Sequence, residues 1–552
     1  MDIKGTLDSL KIDIDGISDE PTRNIVIILS NLIEYLSAEN KQLKEENQAL
    51  RDEINKLKGE QGKPSIRKQS KDRLDLSTEK DRKPRGKQAK KPKTSKKGKL
   101  PIDRTERIII APGELPVDAI FKGYQTVFVQ DIIIKTESIA FEKAKYYSPS
   151  LKKTFLAELP PGHQGAYGPR IKALVLDLHQ NAKMTESAIC CFLKNHGVLI
   201  SAASISRLIT DKHESFHQEK QAIVQAGLAS STCQQMDDTS ARVAGKNHYT
   251  HILCNALYTA FFTRKRKDRL TILELLTQGD LMFRFNDKTI ALMAQMKLPK
   301  KSQQALADAK PPELLNRMEI DALLAQLFPN PKKHQTSRRI ILEASAIMAY
   351  RQLPEAISLL LVDDAPQYKQ ITESLALCWI HDARHYKKLA PQMPWHENKL
   401  KTFMDGYWDF YHKLLDYKQA PANELVQVLT KEFETLFTTK TGYSQLDERI
   451  EKTNMKKAEL LMVLLHPNIP LHNNGSELGA RVQARYRDIS LHNINEKGVE
   501  IKDTFMTIVE TAKKLSINLY DYFYDRISGH YNMPSLADMI IRKSQMALQN
   551  TG

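Results

Sequence analysis

Near the N-terminus leucine recurs at every seventh position, at Leu29, Leu36, Leu43, Leu50 and Leu57. Taken as d positions of a heptad, these put Val26, Ile33, Asn40, Asn47 and Ile54 at a. Glu39, Glu46 and Glu53 then fall at g, five residues before Lys44, Arg51 and Lys58 at e. Such opposite-sign g-to-e′ pairs form across the seam of a parallel, in-register dimer. Asparagine at two a positions sacrifices stability to fix register and strand number. Pro21 can open the helix and Gly59 can close it. The pattern predicts a dimerising coiled coil over 22–59, with Leu29, Leu36, Asn40, Leu43, Asn47, Leu50 and Leu57 in its seam.

The period then changes. Between 101 and 158, short apolar runs (Ile108–Ile110, Val127–Val129, Ile132–Ile134) alternate with turn residues and predict a small β-rich domain over 101–160. Pro160-Pro161-Gly162 marks its boundary. From Pro169 to about His217 the period is helical, with Thr185 as an N-cap and a tight break at Asn195-His196-Gly197-Val198. A helix starting at Ser201 follows. The layout over 161–228 is that of a helix-turn-helix, with Ser201, Ser204 and Arg207 placed to meet DNA, although simple packing fits it equally well. Further on, Cys233 to Thr239 reads as a short strand ending in carboxylates, followed by two strand-like runs, His251–Ala256 and Tyr258–Phe262. Ile357–Val362 reads as a buried, parallel-type strand with Asp363-Asp364 at its end. Asn473-Asn474-Gly475-Ser476-Glu477 starts a helix.

Composition narrows the class. A chain of 552 residues is long enough for three or four domains. No apolar run approaches the roughly 18 residues that span a bilayer, and Met1 to Asp8 lacks a signal-peptide layout. Five cysteines (190, 191, 233, 254, 378) include no Cys-x-x-Cys pair, which excludes a disulfide framework and a structural zinc knuckle. We expect a reduced, cytoplasmic protein. The formal charge is +16, and it is concentrated: Lys63 to Lys99 holds 16 Lys or Arg and four acids. Pro64, Pro84 and Pro92, with Gly86 and Gly98, make that stretch a flexible basic linker (60–100) that buries no core. Lys83, Arg85, Lys87, Lys90, Lys91, Lys93, Lys96 and Lys97 can neutralise DNA phosphates there without reading sequence. A basic-zipper factor is excluded, because its helical basic region precedes the zipper.

Singly, acids at strand ends and helix starts serve turns and caps, and Asn474 with Glu477 could form a capping box. Together, carboxylates at two strand ends and one helix start can converge on two divalent cations. Such a pair, roughly 4 Å apart, can activate a nucleophile and stabilise the leaving oxygen of an in-line phosphodiester displacement. Hard oxygen ligands point to Mg²⁺ or Mn²⁺, two ions. The doublets Asp237-Asp238 and Asp363-Asp364 leave two choices open.

Four blocks resemble the DDE transposases of the IS66 family. Asp237-Asp238-Thr239, followed by Gly245-Lys246, is similar to that family's Asp-Glu-Thr. Asp363 with Tyr368 is similar to Asp-Gly-x-x-x-Tyr, and Cys378-Trp379-Ile380-His381-Asp382-Ala383-Arg384 to Cys-Trp-x-His-x-x-Arg. Asn473-Asn474-Gly475-Ser476-Glu477 is similar to Asn-Asn-x-x-Glu. Weaker likeness runs from about 101 to 525.

The resemblance implies a multidomain α/β chain with an RNase H-like core (229–391 and 471–528). Helical insertions at about 270–353 and 392–470 and a tail at 529–552 complete the expected layout. It implies Asp237, Asp363 and Glu477 as catalytic metal ligands, and His381, Arg384, Arg481, Arg485 and Arg487 as DNA contacts; Trp379 is expected in the core. There are departures: the 126-residue step from Asp237 to Asp363 is long, and Leu478 replaces an arginine. The function implied is a nucleoid-associated bacterial transposase that binds terminal inverted repeats and target DNA. It would act as a homodimer or higher oligomer, with accessory proteins in some relatives and no membrane partner. A transposase-derived DNA-binding protein, or a nuclease that cuts without joining, are the rivals.

Overall fold

The computed structural model describes residues 13–57, 102–111, 114–116, 118–489 and 494–549. The basic linker with its candidates from Lys83 to Lys97, and the side chain of Leu57, lie outside the described residues. Two compact units are present. Among the described residues the smaller takes in 102–141 and 193–199, the latter including the end of the helix Glu186–Asn195. Residues 102–111 and 118–141 carry neither helix nor strand, and Ile108, Ile109, Ile132 and Ile133 stand 77–92% exposed. This corrects the β-rich domain expected over 101–160, of which one hairpin remains, β1 (Lys145–Ser148) paired antiparallel with β2 (Lys153–Leu156). β-branched runs favour strands through neighbours on a pleated surface, and among the described residues no second layer covers them.

The larger unit is mixed α/β. It begins with the 38-residue helix α1 (Glu20–Leu57). Four helices follow the hairpin: α2 (Pro169–Leu176), α3 (Glu186–Asn195), α4 (Ala202–Thr210) and α5 (Glu214–Ala229). Ser201 caps α4 by accepting the Ser204 N–H at 3.2 Å, while Ile205 and Ile209 bury its other face.

A five-stranded sheet follows, ordered β5–β4–β3–β8–β9. β3 (Cys233–Val243), β4 (Lys246–Cys254) and β5 (Thr259–Arg264) form an antiparallel meander. Between β5 and β8 lie α6 (Arg269–Thr277), α7 (Asp287–Gln295), α8 (Lys300–Ala309), α9 (Arg317–Leu327) and α10 (Gln335–Arg351). A short pair, β6 (Phe283–Arg284) with β7 (Leu314–Leu315), sits among them. β8 (Leu359–Val362) then enters beside β3, and β9 (Ser374–Leu377) beside β8, both parallel. All four β8 residues are buried, as a strand covered on both faces must be. The eleven-residue β3 is longer than the sequence pattern indicates, so Asp237 and Asp238 stand mid-strand. β4 pairs along its whole length, whereas β8 pairs only with Cys233–Gln235.

After β9 come α11 (Trp379–Lys387), α12 (Pro394–Gln419), α13 (Asn423–Phe437) and α14 (Ser444–Asn454), the last followed by two single turns. The C-terminal helices are α15 (Asn474–Ile489), α16 (Glu496–Leu515), α17 (Leu519–Ser528) and α18 (Leu536–Gln549). α16 closes the open edge of β5. Thr511, Thr507 and Asp503, one helical turn apart, accept the N–H groups of Thr259, Phe261 and Thr263 at 3.2, 3.1 and 2.6 Å. Donors that would template another strand are thereby satisfied. The segment after 528 is not a tail throughout: Leu536, Ala537 and Ile540 bury one face of α18 in the core.

Candidate active site

The site is built where β3, β8, α11 and α15 meet. Gln235 pairs with Leu361 in the parallel β3–β8 register. Continued two residues past its last pair, that register would set Asp237 beside Asp363, and the charge of Asp363 does act on the Asp237 carboxyl. Asp238, next along β3, leaves the face opposite to that of Asp237. There it accepts hydrogen bonds from Gln367 Nε2 at 2.8 Å and, more weakly, from the Tyr368 hydroxyl at 3.5 Å, and it pairs with Lys267 at 3.2 Å. Asp364 is likewise taken up, by Lys369 at 3.1 Å and by Lys456 from the turns after α14. Both lysines hold its carboxyl below the usual range against the opposing effect of burial.

Asp237 and Asp363 form no ion pair among the described residues. Burial pushes the Asp237 carboxyl up to about 7, and the charges of Asp363, Asp238 and Glu477 add to this, against one hydrogen bond from the Asp238 N–H. Asp363 is raised for the same first reason, burial, offset in part by the Ala365 N–H at 3.1 Å. Two adjacent, half-buried carboxylates without a counter-ion make a locus short of positive charge.

α15 reaches this face because two of its residues lack side chains. A Cβ at Gly475 would lie 2.6 Å from Gln235 Oε1, and one at Gly479 would lie 2.7 Å from Ile252 Cγ2. One turn apart, they let the helix lie directly on β3 and β4. Asn473 fixes its start, donating from Nδ2 to the Met236 carbonyl at 2.7 Å, and the Gly475 N–H bonds Gln235 Oε1 at 3.2 Å. Glu477 therefore comes down over the sheet, buried to 8% exposure. It does not complete the capping box: its carboxylate turns to α11, where Arg384 Nη2 donates to Oε2 at 2.8 Å. Oε1 is buried without a hydrogen-bond partner, 3.6 Å from His381 Nδ1.

α11 presents two faces by helical spacing. Trp379, Asp382 and Tyr386 point into the body. Asp382 is held by Thr453 and Arg449 of α14 and lies 3.3 Å from the Tyr407 hydroxyl. His381 and Arg384 occupy the other face, with Arg384 Nη1 2.9 Å from His381 Nε2. Burial first, then Arg384, keep His381 below its ordinary pKa despite the facing Glu477. A neutral ring accepting from Arg384 carries its proton on Nδ1, facing Glu477.

The remaining candidates are placed as follows. Arg481 lies 4.0 Å from Glu477 Oε2, one turn along α15; Arg485 is exposed one turn further; and Arg487 donates to the Ser240 carbonyl at 2.8 Å. Ser201 and Arg207 are exposed on or next to α4, and Ser204 is half-buried there. Leu29, Leu36, Leu43 and Leu50 are 49–59% exposed along α1, where Asn40 and Asn47 are exposed too. Trp379 is fully buried, as expected. Sequence reasoning missed Gln235, Gly479 and Lys456. The Gly475–Gly479 spacing was the available signal for a close helix–sheet contact.

Sheet carboxylates with no ion pair among the described residues, and a buried Glu477 Oε1 without a hydrogen-bond partner, are hard donors of the kind a divalent cation takes, although the oxygens of Asp237, Asp363 and Glu477 do not all lie within 4.8 Å of one another. Among the described residues, one trio of potential ligands has donor atoms within 4.8 Å of one another, Cys378, His381 and Glu477. It is already engaged by Arg384, and burial lifts the Cys378 thiol to about 11. No helix among the described residues is long and apolar enough to cross a membrane.

Residues 344–501 match the family model described as "Transposase IS66 family". The chain is also similar to "Uncharacterized protein y4jO" of Sinorhizobium fredii (strain NBRC 101917 / NGR234). The two are 29% identical over 308 residues, which is 55% of this chain and 94% of that protein. No solved structure matches the chain.

Proposed function

We propose that this chain, which carries the transposase domain of the IS66 family over residues 344–501, binds the ends of an insertion sequence, cuts them and joins them to target DNA, with Asp237, Asp363 and Glu477 as its catalytic carboxylates. The observation that carries this reading is the division within each doublet. Asp237 and Asp363 form no ion pair among the described residues, while Asp238 and Asp364 are tied to Lys267, Lys369 and Lys456. The sheet order, with only β4 reversed, and the helix α15 laid across it support an RNase H-like core.

Two divalent cations held by the three acids would stabilise the attacking and leaving oxygens of an in-line displacement. The protein's own residues do the rest. Arg384 holds Glu477 Oε2 until DNA arrives, then exchanges that carboxylate for the phosphate beside the cut. His381 orients Arg384 through Nε2. Arg481, Arg485 and Arg487 follow the backbone as α15 runs away from the site, and their contacts are sequence-independent. Ser201, Ser204 and Arg207 at the start of α4, with the basic linker, hold the inverted repeat. The leucine seam of α1 brings two ends together.

Purified protein with Mg²⁺ and a supercoiled donor carrying the DNA that flanks this coding region is expected to yield products joined to target. Cut DNA with no joined product would replace the transposase with a nuclease. Binding with no cutting would leave a DNA-binding protein.

A further inference from the structure

Two faces of α1 are committed to different things. With leucines at d, residues 27 and 34 take position b, 30 takes e, and 31 takes f; b and f lie on the outside of a two-stranded coil, away from the seam. Outer positions of a coiled coil are normally solvated. Here Glu34 is 3% exposed, and Ser30 at the neighbouring e position is 2% exposed, while Leu29, Leu36, Leu43 and Leu50 remain open.

The burial has a cause. One oxygen of Glu34 accepts the N–H groups of Gln392 and Met393 at 2.6 and 2.9 Å and Nδ1 of His396 at 3.1 Å. These are free donors at the start of α12, where a carboxylate is also favoured by the helix dipole. His396 is fully buried and stacks on Tyr443 with ring centroids 4.3 Å apart, which fixes the imidazole. Three residues earlier on the same face, Asn31 donates from Nδ2 to the Gly442 carbonyl at 2.9 Å. Its Oδ1 accepts the Ser444 N–H and hydroxyl at 2.9 and 3.0 Å. Asp15, ahead of the helix, pairs with Lys399 of α12 at 3.1 Å. A carboxylate is thus buried with its bonds made, and a half-buried amide beside it has both its ends bonded, which an incidental contact does not achieve.

We propose that α1 is a latched spine. Asn31 and Glu34 fasten its outer face to the helical insertion of the same chain, so that the open seam receives a second copy of this chain while each catalytic body stays fixed to its own half of the coil. The occupant is a second copy because the g and e residues are complementary within this sequence, Glu39 to Lys44 and Glu46 to Arg51. The proposal rests on the zipper dimer of the preceding section and adds what that dimer holds in place.

Two double variants separate the parts. Asn31→Ala with Glu34→Ala removes the latch, and Leu36→Glu with Leu43→Glu spoils the seam. Light scattering gives the mass, and amide exchange reports on Gln392 and Met393. The latch variant should remain dimeric while those two amides exchange at least about tenfold faster. The seam variant should be monomeric with both amides as slow as in the unaltered protein. Unchanged amides in the latch variant overturn the latch. Loss of the dimer in the latch variant, with the seam variant still dimeric, shows the b/f face to be the true interface and overturns the spine. If the unaltered protein is itself monomeric, the zipper fails and the spine with it, whereas slow Gln392 and Met393 amides would then mark the latch as a contact within one chain.

Discussion

Asp237→Asn should make the metal-free protein more stable at pH 8 while stopping DNA cleavage. Burial, with the charges of Asp363, Asp238 and Glu477 added to it, puts the folded carboxyl at about 7, whereas an unfolded aspartate titrates near 3.9, a typical value. Between those values the folded protein keeps a proton that the unfolded chain releases. Stability contributed by this group is therefore full at low pH and is lost as pH rises through about 7. Asparagine removes that loss. Difference scans of the variant against the unaltered protein should show equal melting at pH 4 and a gain on the order of a few °C at pH 8. Titratable groups common to both proteins cancel in the difference. Added Mg²⁺ should then stabilise the unaltered protein and not the variant, because ligand binding to the folded state is what raises its melting point. A variant that gains nothing at pH 8 would show that Asp237 is not held at a charge-poor site.

The second large effect belongs to Trp379, which touches no reacting group. Its ring packs among Tyr407, Phe410, Tyr411, Phe433 and Phe437, with centroids 5.5–6.3 Å away. Nε1 donates to the Leu460 carbonyl at 2.9 Å. This side chain is one of the contacts that join the insertion helices α12 and α13 to α11, beside the Tyr386–Phe403 and Tyr386–Tyr407 ring pairs. Trp379→Ala should cost about 3–5 kcal/mol in denaturant unfolding, the scale of an emptied aromatic site. Cleavage should fall as well, since His381 and Arg384 sit on the same two turns. Trp379→Phe keeps most of the packing and loses the indole hydrogen bond, so it should recover most of both. A loss of cleavage that Phe does not recover would indicate a direct role for the indole.

How far the sequence led is visible in the acids. The apolar run Ile357–Val362 announced a buried strand before Asp363, and the Asn-Asn-Gly-Ser-Glu block announced a helix start; the helix starts in that block, and the strand ends before Asp363 but begins two residues later, at Leu359. The choice within the doublets was not legible. What distinguishes the two members of each doublet in the fold is that Asp238 meets Lys267 and Gln367 and Asp364 meets Lys456, partners remote in sequence. The heptads of α1 were plain, but its docking was not. Glu34 looks like any solvated b-position acid until the start of α12 is known to meet it. The expected β domain failed for the opposite reason. Ile108–Ile110 and Ile132–Ile134 have strand composition, but composition cannot supply a second layer.

The catalytic set itself is tested most directly by Asp363→Asn, which removes one charge and alters almost no volume. In Mg²⁺ buffer, cleavage of duplexes carrying the element's ends should fall by at least about 10²–10³-fold, the scale of losing one preorganised electrostatic stabiliser. Binding of the same duplexes, measured without metal, should be nearly unchanged. Cleavage at the unaltered rate would contradict the assignment of Asp363, and with it the carboxylate site built on Asp237, Asp363 and Glu477.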